Sequence, residues 1–225
     1  MNTIKYVSVL ATFGFLLLTG LTAQAAEGVN DQKAKAAEED KLPRPAPDFT
    51  LKDSNGKEVQ LSKLTEKGKI VVLEWFNYDC PFVKYHYTPK TNTTSNLAKK
   101  YKDKDVVWLI VNSTNYATAE TNAAWAKEHE IKQTILIDSD GKVGRLYKAK
   151  TTPQLFVIDK AGKIVYDGAI DNAPRGKVPE GKEKVNYVDQ ALTEMLADKP
   201  VSTPKTKPYG CSVKYAKVAE PEKPA

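Results

Sequence analysis

Two stretches of this chain, Ile70–Phe76 (IVVLEWF) and Val106–Val111 (VVWLIV), are apolar at almost every position. A strand with one wet face alternates, whereas a strand covered on both faces reads as an unbroken apolar run, so these stretches predict the centre of a sheet held between two layers. Shorter runs at Thr134–Ile137, Leu155–Ile158 and Lys163–Asp167 predict further strands. The segments Pro81–Tyr101, Thr118–Glu130 and Lys142–Lys148 suit helices. A last helix over Val185–Asp198 puts Val185, Val188, Leu192, Met195 and Leu196 on one face. Asn55-Gly56 joins two short alternating runs as a hairpin, Ser62 is placed to cap a brief helix, and DKAGK joins two later strands. Strands alternating with helices predict an α/β sandwich with a mixed central sheet and an N-terminal β-hairpin.

The flanks differ from this core. Residues 1–25 carry an early Lys5, an apolar run from Tyr6 to about Leu21 and the small-residue site Ala23-Gln24-Ala25. That pattern predicts a signal peptide cut after Ala25, hence an exported chain, periplasmic or secreted, with no stable membrane anchor. Residues 26–44 are small and charged, as in a mobile linker, and the core domain is expected over 45–198. Residues 199–225 are rich in proline and lysine, have few apolar residues and read as a tail carrying Cys211. The net charge of +6 comes almost wholly from dispersed lysines, without the basic stripe or stacking aromatics of a nucleic-acid binder. With two histidines and two cysteines there is no metal-ligand spacing; no metal and no cofactor are expected.

Cys80 falls where the first buried run ends, and Pro81 suits the first turn of a following helix because its missing N–H has no intrahelical partner there. A thiol at a helix start faces unpaired amides, which favour the thiolate. Lys84, one turn on, adds positive charge, and the adjacent Asp79 opposes it.

These residues carry a resemblance. VVLEWFNYDCPFVK resembles the active-site segment of the thioredoxin-like superfamily, TTPQLFVIDKAGKIVYDGAI resembles its second half, and PAPDFTLKDSNGKEVQLSKL is similar to its exported redoxin and AhpC/TSA-related branch. The resemblance spans about residues 45–198. It implies a three-layer α/β/α sandwich and thiol chemistry on disulfides of proteins, or on hydroperoxides, with an external reductant and a monomeric enzyme. Position by position, Cys80 matches the nucleophile and Pro153 the cis-proline that turns Thr152 towards the sulfur. Glu74, six residues before Cys80, matches a buried acid that assists proton transfer, with an ordinary strand-face carboxylate as the alternative, and Trp75 lies where the family keeps an aromatic lid, with a core tryptophan as the alternative. Lys84 and Glu74 are thereby expected to tune pKa values, and Thr152, Pro153 and Trp75 to position substrate.

The departures are as informative. The family's Cys-x-x-Cys needs cysteine at 83, where Val83 stands. The peroxiredoxin proline and threonine are replaced by Leu73 and Asn77, and Arg145, the one arginine in the middle of the core, is a weak candidate for an activating group. Attention therefore moves to Cys211. Thirteen residues separate it from the end of the last helix, a reach of about 43 Å at roughly 3.3 Å per residue, against a domain radius of gyration near ~15 Å. Gly210 permits a close backbone approach. Three roles stay open: a resolving cysteine that forms a reversible disulfide with Cys80, a permanent staple contributing up to about 5 kcal/mol in the chain-entropy model, or an unpaired or interchain thiol. The matching functions are a thiol–disulfide oxidoreductase, a thiol peroxidase, or a redox-inactive binding module on the same fold.

Overall fold

The computed structural model describes residues 41–217. The leader at 1–25 and all but the end of the linker lie outside the described residues. The linker's last residue does not behave as a linker: Arg44 pairs with Ile164 in a sheet, so order begins before position 45.

Eight strands make the main sheet. In chain order they are β1 (Arg44–Pro45), β2 (Thr50–Asp53), β3 (Glu58–Gln60), β4 (Ile70–Trp75), β5 (Val106–Asn112), β6 (Thr134–Ile137), β8 (Gln154–Ile158) and β9 (Lys163–Gly168). Their spatial order is β1-β9-β8-β4-β5-β6-β2-β3. The two apolar runs lie side by side at the centre, β4 parallel to β5 with Ile70 opposite Val106, and β8 runs antiparallel to β4 on its other side. Every residue of β4 and of β8 is buried, as doubly covered strands require. The Asn55-Gly56 hairpin joins β2 to β3, with Gly56 at φ +79°, and docks on β6. A separate two-stranded sheet pairs β7 (Thr151–Thr152) with β10 (Cys211–Ser212).

The helices are α1 (Leu61–Thr65), α2 (Pro81–Tyr87), α3 (Thr93–Tyr101), α4 (Ala119–Glu128), α5 (Lys142–Leu146) and α6 (Tyr187–Leu196). Side chains from α2, α3, α4 and α6 join one core with Val72 and Ile110, while α1 and α5 join the other with Val71, Leu73 and Leu109. The result is the expected three layers about a mixed sheet. Two local expectations fail. The helix expected over Pro81–Tyr101 is two helices, because Pro89 forces Thr88 into extended backbone (ψ 150°) and Asn92 turns left-handed before the second begins. Ser62 does not cap α1: it lies inside the helix, and Asp48 accepts its N–H at 2.9 Å, filling the cap role from fourteen residues away.

Residues 199–217, the described part of the tail that carries Cys211, are docked on the domain. Val201, Tyr209 and Cys211 pack against the core beneath α2 and α6, and Val213 against the opposite one. Thr206 accepts the Ala169 N–H at 2.9 Å, and Tyr215 donates to the Ala149 carbonyl at 2.8 Å.

Candidate active site

Cys80 sits at the N-cap of α2, extended at φ −74° and ψ 119°, with Pro81 at the first helical position. The end of β4 fixes it from one side. The Thr152–Pro153 peptide, which is cis, fixes it from the other, since the thiol donates to the Thr152 carbonyl at 3.0 Å. Pairing of β10 with β7 sets Cys211 opposite Thr152 and Ser212 opposite Thr151. The two thiols, 131 positions apart, are thereby in hydrogen-bond contact, and both are free.

Their electrostatics diverge. Burial pushes the Cys80 thiol up, but hydrogen bonds from the Cys211 thiol, from the Thr152 side chain and from the Val83 and Cys211 amides outweigh it and hold Cys80 below the usual range. Cys211 is pushed up to about 11 by burial, by its hydrogen bond to Cys80 and by the charge Cys80 carries when ionised. The pair therefore has one thiol poised to ionise and one poised to keep its proton.

Glu74 is wholly buried, and burial pushes its carboxyl up to about 7 against hydrogen bonds from Trp108, Tyr87 and Thr94. Tyr87 and Trp108 each donate at 3.0 Å. Glu74 thus lies under α2 on the same sheet face as Cys80, bonded to the far end of that helix rather than to the sulfur. Lys84 is exposed on α2, and the groups that shift Cys80 do not include it. Trp75 is not an aromatic lid. Residues alternate along β4, so it points to the face opposite Glu74, where it is fully buried against Tyr147 and Phe156 and donates to Ser113 at 3.0 Å. Arg145 is engaged elsewhere: it donates to the Asp140 and Ala216 carbonyls and lies 4.7 Å from the Tyr215 ring.

Sequence reasoning passed over Tyr209, His86 and Asp171. Tyr209 donates to Asp171 Oδ1 at 2.6 Å and meets His86 Nε2 at 3.0 Å. A phenol has one proton, and Asp171 takes it, so His86 must donate from Nε2 and leave Nδ1 bare; that atom is buried without a partner among the described residues. Burial holds His86 down at about 4, against Asp171, which raises it, and with Lys184, which lowers it further. The available signal was proximity, since Tyr209 and Gly210 immediately precede Cys211.

A cis-proline loop facing a cysteine at a strand-to-helix junction, on a sheet of this order between two helical layers, defines a thioredoxin-like protein. The chain belongs to the AhpC/TSA family, which matches residues 42–167. It is 31% identical over 120 residues to the thiol-disulfide oxidoreductase ResA of Bacillus subtilis, covering 53% of this chain and 63% of ResA, so it spans less than two thirds of that relative's length. It is also 30% identical over 131 residues to a chloroplastic Peroxiredoxin Q of Triticum aestivum, covering 53% of this chain and 55% of that protein. An uncharacterized conserved protein of Geobacillus kaustophilus superposes with a TM-score of 0.70 at 27% identity, covering 80% of this chain and 94% of that one.

Proposed function

We propose that this chain is an exported thiol–disulfide oxidoreductase in which Cys80 attacks and Cys211 resolves. The observation that carries the reading is the β7–β10 pairing, which brings a thiol held low and a thiol held high into contact. The Cys80 thiolate attacks one sulfur of a substrate disulfide RS–SR; a Cys80–SR bond forms and RS⁻ leaves. Cys211 then loses its proton, which neutralises a departing RS⁻, and its sulfur attacks Cys80 Sγ. The second RS⁻ leaves, and Cys80–Cys211 remains. Two thiols of the chain are oxidised and one disulfide is reduced, and an external dithiol reverses the change. The distant cysteine restores the two-thiol chemistry that Val83 removes from the local motif. Thr152 and Pro153 line the approach to the sulfur. Export rests on the leader pattern of residues 1–25.

Peptide mapping after mild oxidation tests this directly. The expected product is a Cys80–Cys211 cross-link that millimolar dithiol reopens; a cross-link that resists reduction, or none, removes the reading. A thiol peroxidase is the second reading, favoured by the AhpC/TSA membership and the wheat relative. There the Cys80 thiolate attacks a hydroperoxide oxygen to give a sulfenic acid and an alcohol, and Cys211 condenses with it to release water. Stopped-flow mixing of the reduced protein with hydrogen peroxide separates the two: a fast phase that depends on Cys80 selects the peroxidase.

A further inference from the structure

Cys80 is only 2% exposed, an odd setting for a nucleophile, and the chain's own tail contributes to its cover through the Cys211 thiol bonded to it. An extended polypeptide substrate binds most simply by adding a strand to an unpaired backbone edge beside the reactive group. The edge beside Cys80 is β7, and β10 already occupies it. The fit is close: a Cβ on Gly210, itself at φ +130°, would stand 2.0 Å from the Thr152 carbonyl oxygen, so a residue with a side chain cannot pass there without moving the strand. The segment is held on both sides of Cys211. Upstream, the Tyr209 hydroxyl is fixed between Asp171 and His86, and its ring centroid lies 6.0 Å from that of Phe82 on α2. Downstream, the Val213 N–H donates to the Lys150 carbonyl and the Asn115 N–H to the Lys214 carbonyl.

We infer that residues 209–213 are a built-in occupant of the strand-pairing site, latched by Tyr209, so that the docked protein discriminates against extended polypeptide disulfides and favours small disulfides that do not need the edge of β7. This rests on the oxidoreductase reading above and adds the substrate class to it. A polypeptide must displace a segment paired at Cys211 and Ser212 and bonded at Val213 before its sulfur reaches Cys80. A small disulfide needs only the local opening at the thiol. Tyr209 sets how often the edge comes free, because its hydroxyl is the only side-chain hydrogen-bonding group of the segment tied to a buried carboxylate and a buried imidazole.

The test compares the full chain with Tyr209→Phe and Gly210→Ala. Reduced protein is mixed in single turnover with either bis(2-hydroxyethyl) disulfide or two extended peptides joined by one disulfide, and oxidation at Cys80 is read by mass after an acid quench. The readout is the ratio of the peptide rate to the small-disulfide rate. Loss of the latch hydrogen bonds, or of the glycine, is expected to raise that ratio roughly tenfold. An unchanged ratio in both variants overturns the inference. Should neither disulfide react with Cys80 in any form, the oxidoreductase reading falls, and hydrogen exchange at the Val213 amide decides the latch: faster exchange in both variants upholds it, unchanged exchange overturns it. Tyr209→Phe removes one hydroxyl only, so the test survives if Gly210→Ala misfolds.

Discussion

Cys80 and Cys211 are the same chemical group in two unlike settings. Cys80 is held by the rigid centre of the fold, between the end of β4 and the start of α2. Cys211 lies on a two-residue strand at the rim, placed by backbone pairing and a latch. Burial raises both thiols, yet only Cys80 ends below the ordinary range, because it collects the hydrogen bonds and Cys211 supplies one of them. The asymmetry is therefore a property of the pair: whatever undocks the strand weakens both shifts at once.

The hardest blow to that comparison is loss of either sulfur. Cys80→Ser is expected to abolish turnover with any disulfide, measured by consumption of an external dithiol. In Cys211→Ser one attack per molecule should remain, visible by mass in the absence of added dithiol as a stable mixed disulfide on Cys80; a mixed disulfide that resolves on its own in this variant would show that the settings are not complementary.

Next comes Glu74, whose carboxyl is raised from 4.5 to about 7. A carboxyl raised on folding adds stability that is complete below pH 4.5 and is lost as pH rises through about 7. The cost of ionising it by pH 8 is about 3 kcal/mol. Glu74→Gln, read by denaturant midpoints at pH 5 and pH 8, should abolish most of this slope and be relatively more stable at the higher pH. An unaltered slope would move the titration to another group.

A smaller effect sharpens the comparison itself. In Cys211→Ala the thiol hydrogen bond to Cys80 is gone, so the midpoint of Cys80 alkylation against pH should move upward from its lowered position. No movement would mean that the hydrogen bonds from Thr152 and from the amides of residues 83 and 211 hold Cys80 low without the second thiol. The smallest expected change is in stability: Tyr209→Phe should cost about 1–2 kcal/mol for hydrogen bonds to a carboxylate and an imidazole, seen as an earlier denaturant midpoint.

Much of this was legible in the residues. Unbroken apolar runs located β4 and β5, Asn55-Gly56 located the hairpin, and Cys80-Pro81 marked the strand-to-helix junction. The Thr152-Pro153 step was legible through family likeness alone. The two-helix break was also written in the chain, since Pro89 lies inside the segment read as one helix and excludes α backbone at Thr88. Alternation along β4 likewise separates Glu74 from Trp75, and following it would have sent Trp75 to the far core. The tail was different. It docks through backbone pairing, a few apolar side chains and the Tyr209 network, none of which makes a periodic pattern. His86 and Asp171 acquire their roles only when three distant segments meet.

The separation of the two cysteines along the chain has a consequence for biosynthesis. Synthesis runs from the N-terminus, so Cys80 exists as a bare, unshielded thiol while 131 further residues are added before its partner appears. The interior on both faces also lacks its final apolar side chains until then. The step that finishes the fold is thus also the step that takes the reactive sulfur out of general circulation, and maturation and chemical safety arrive together.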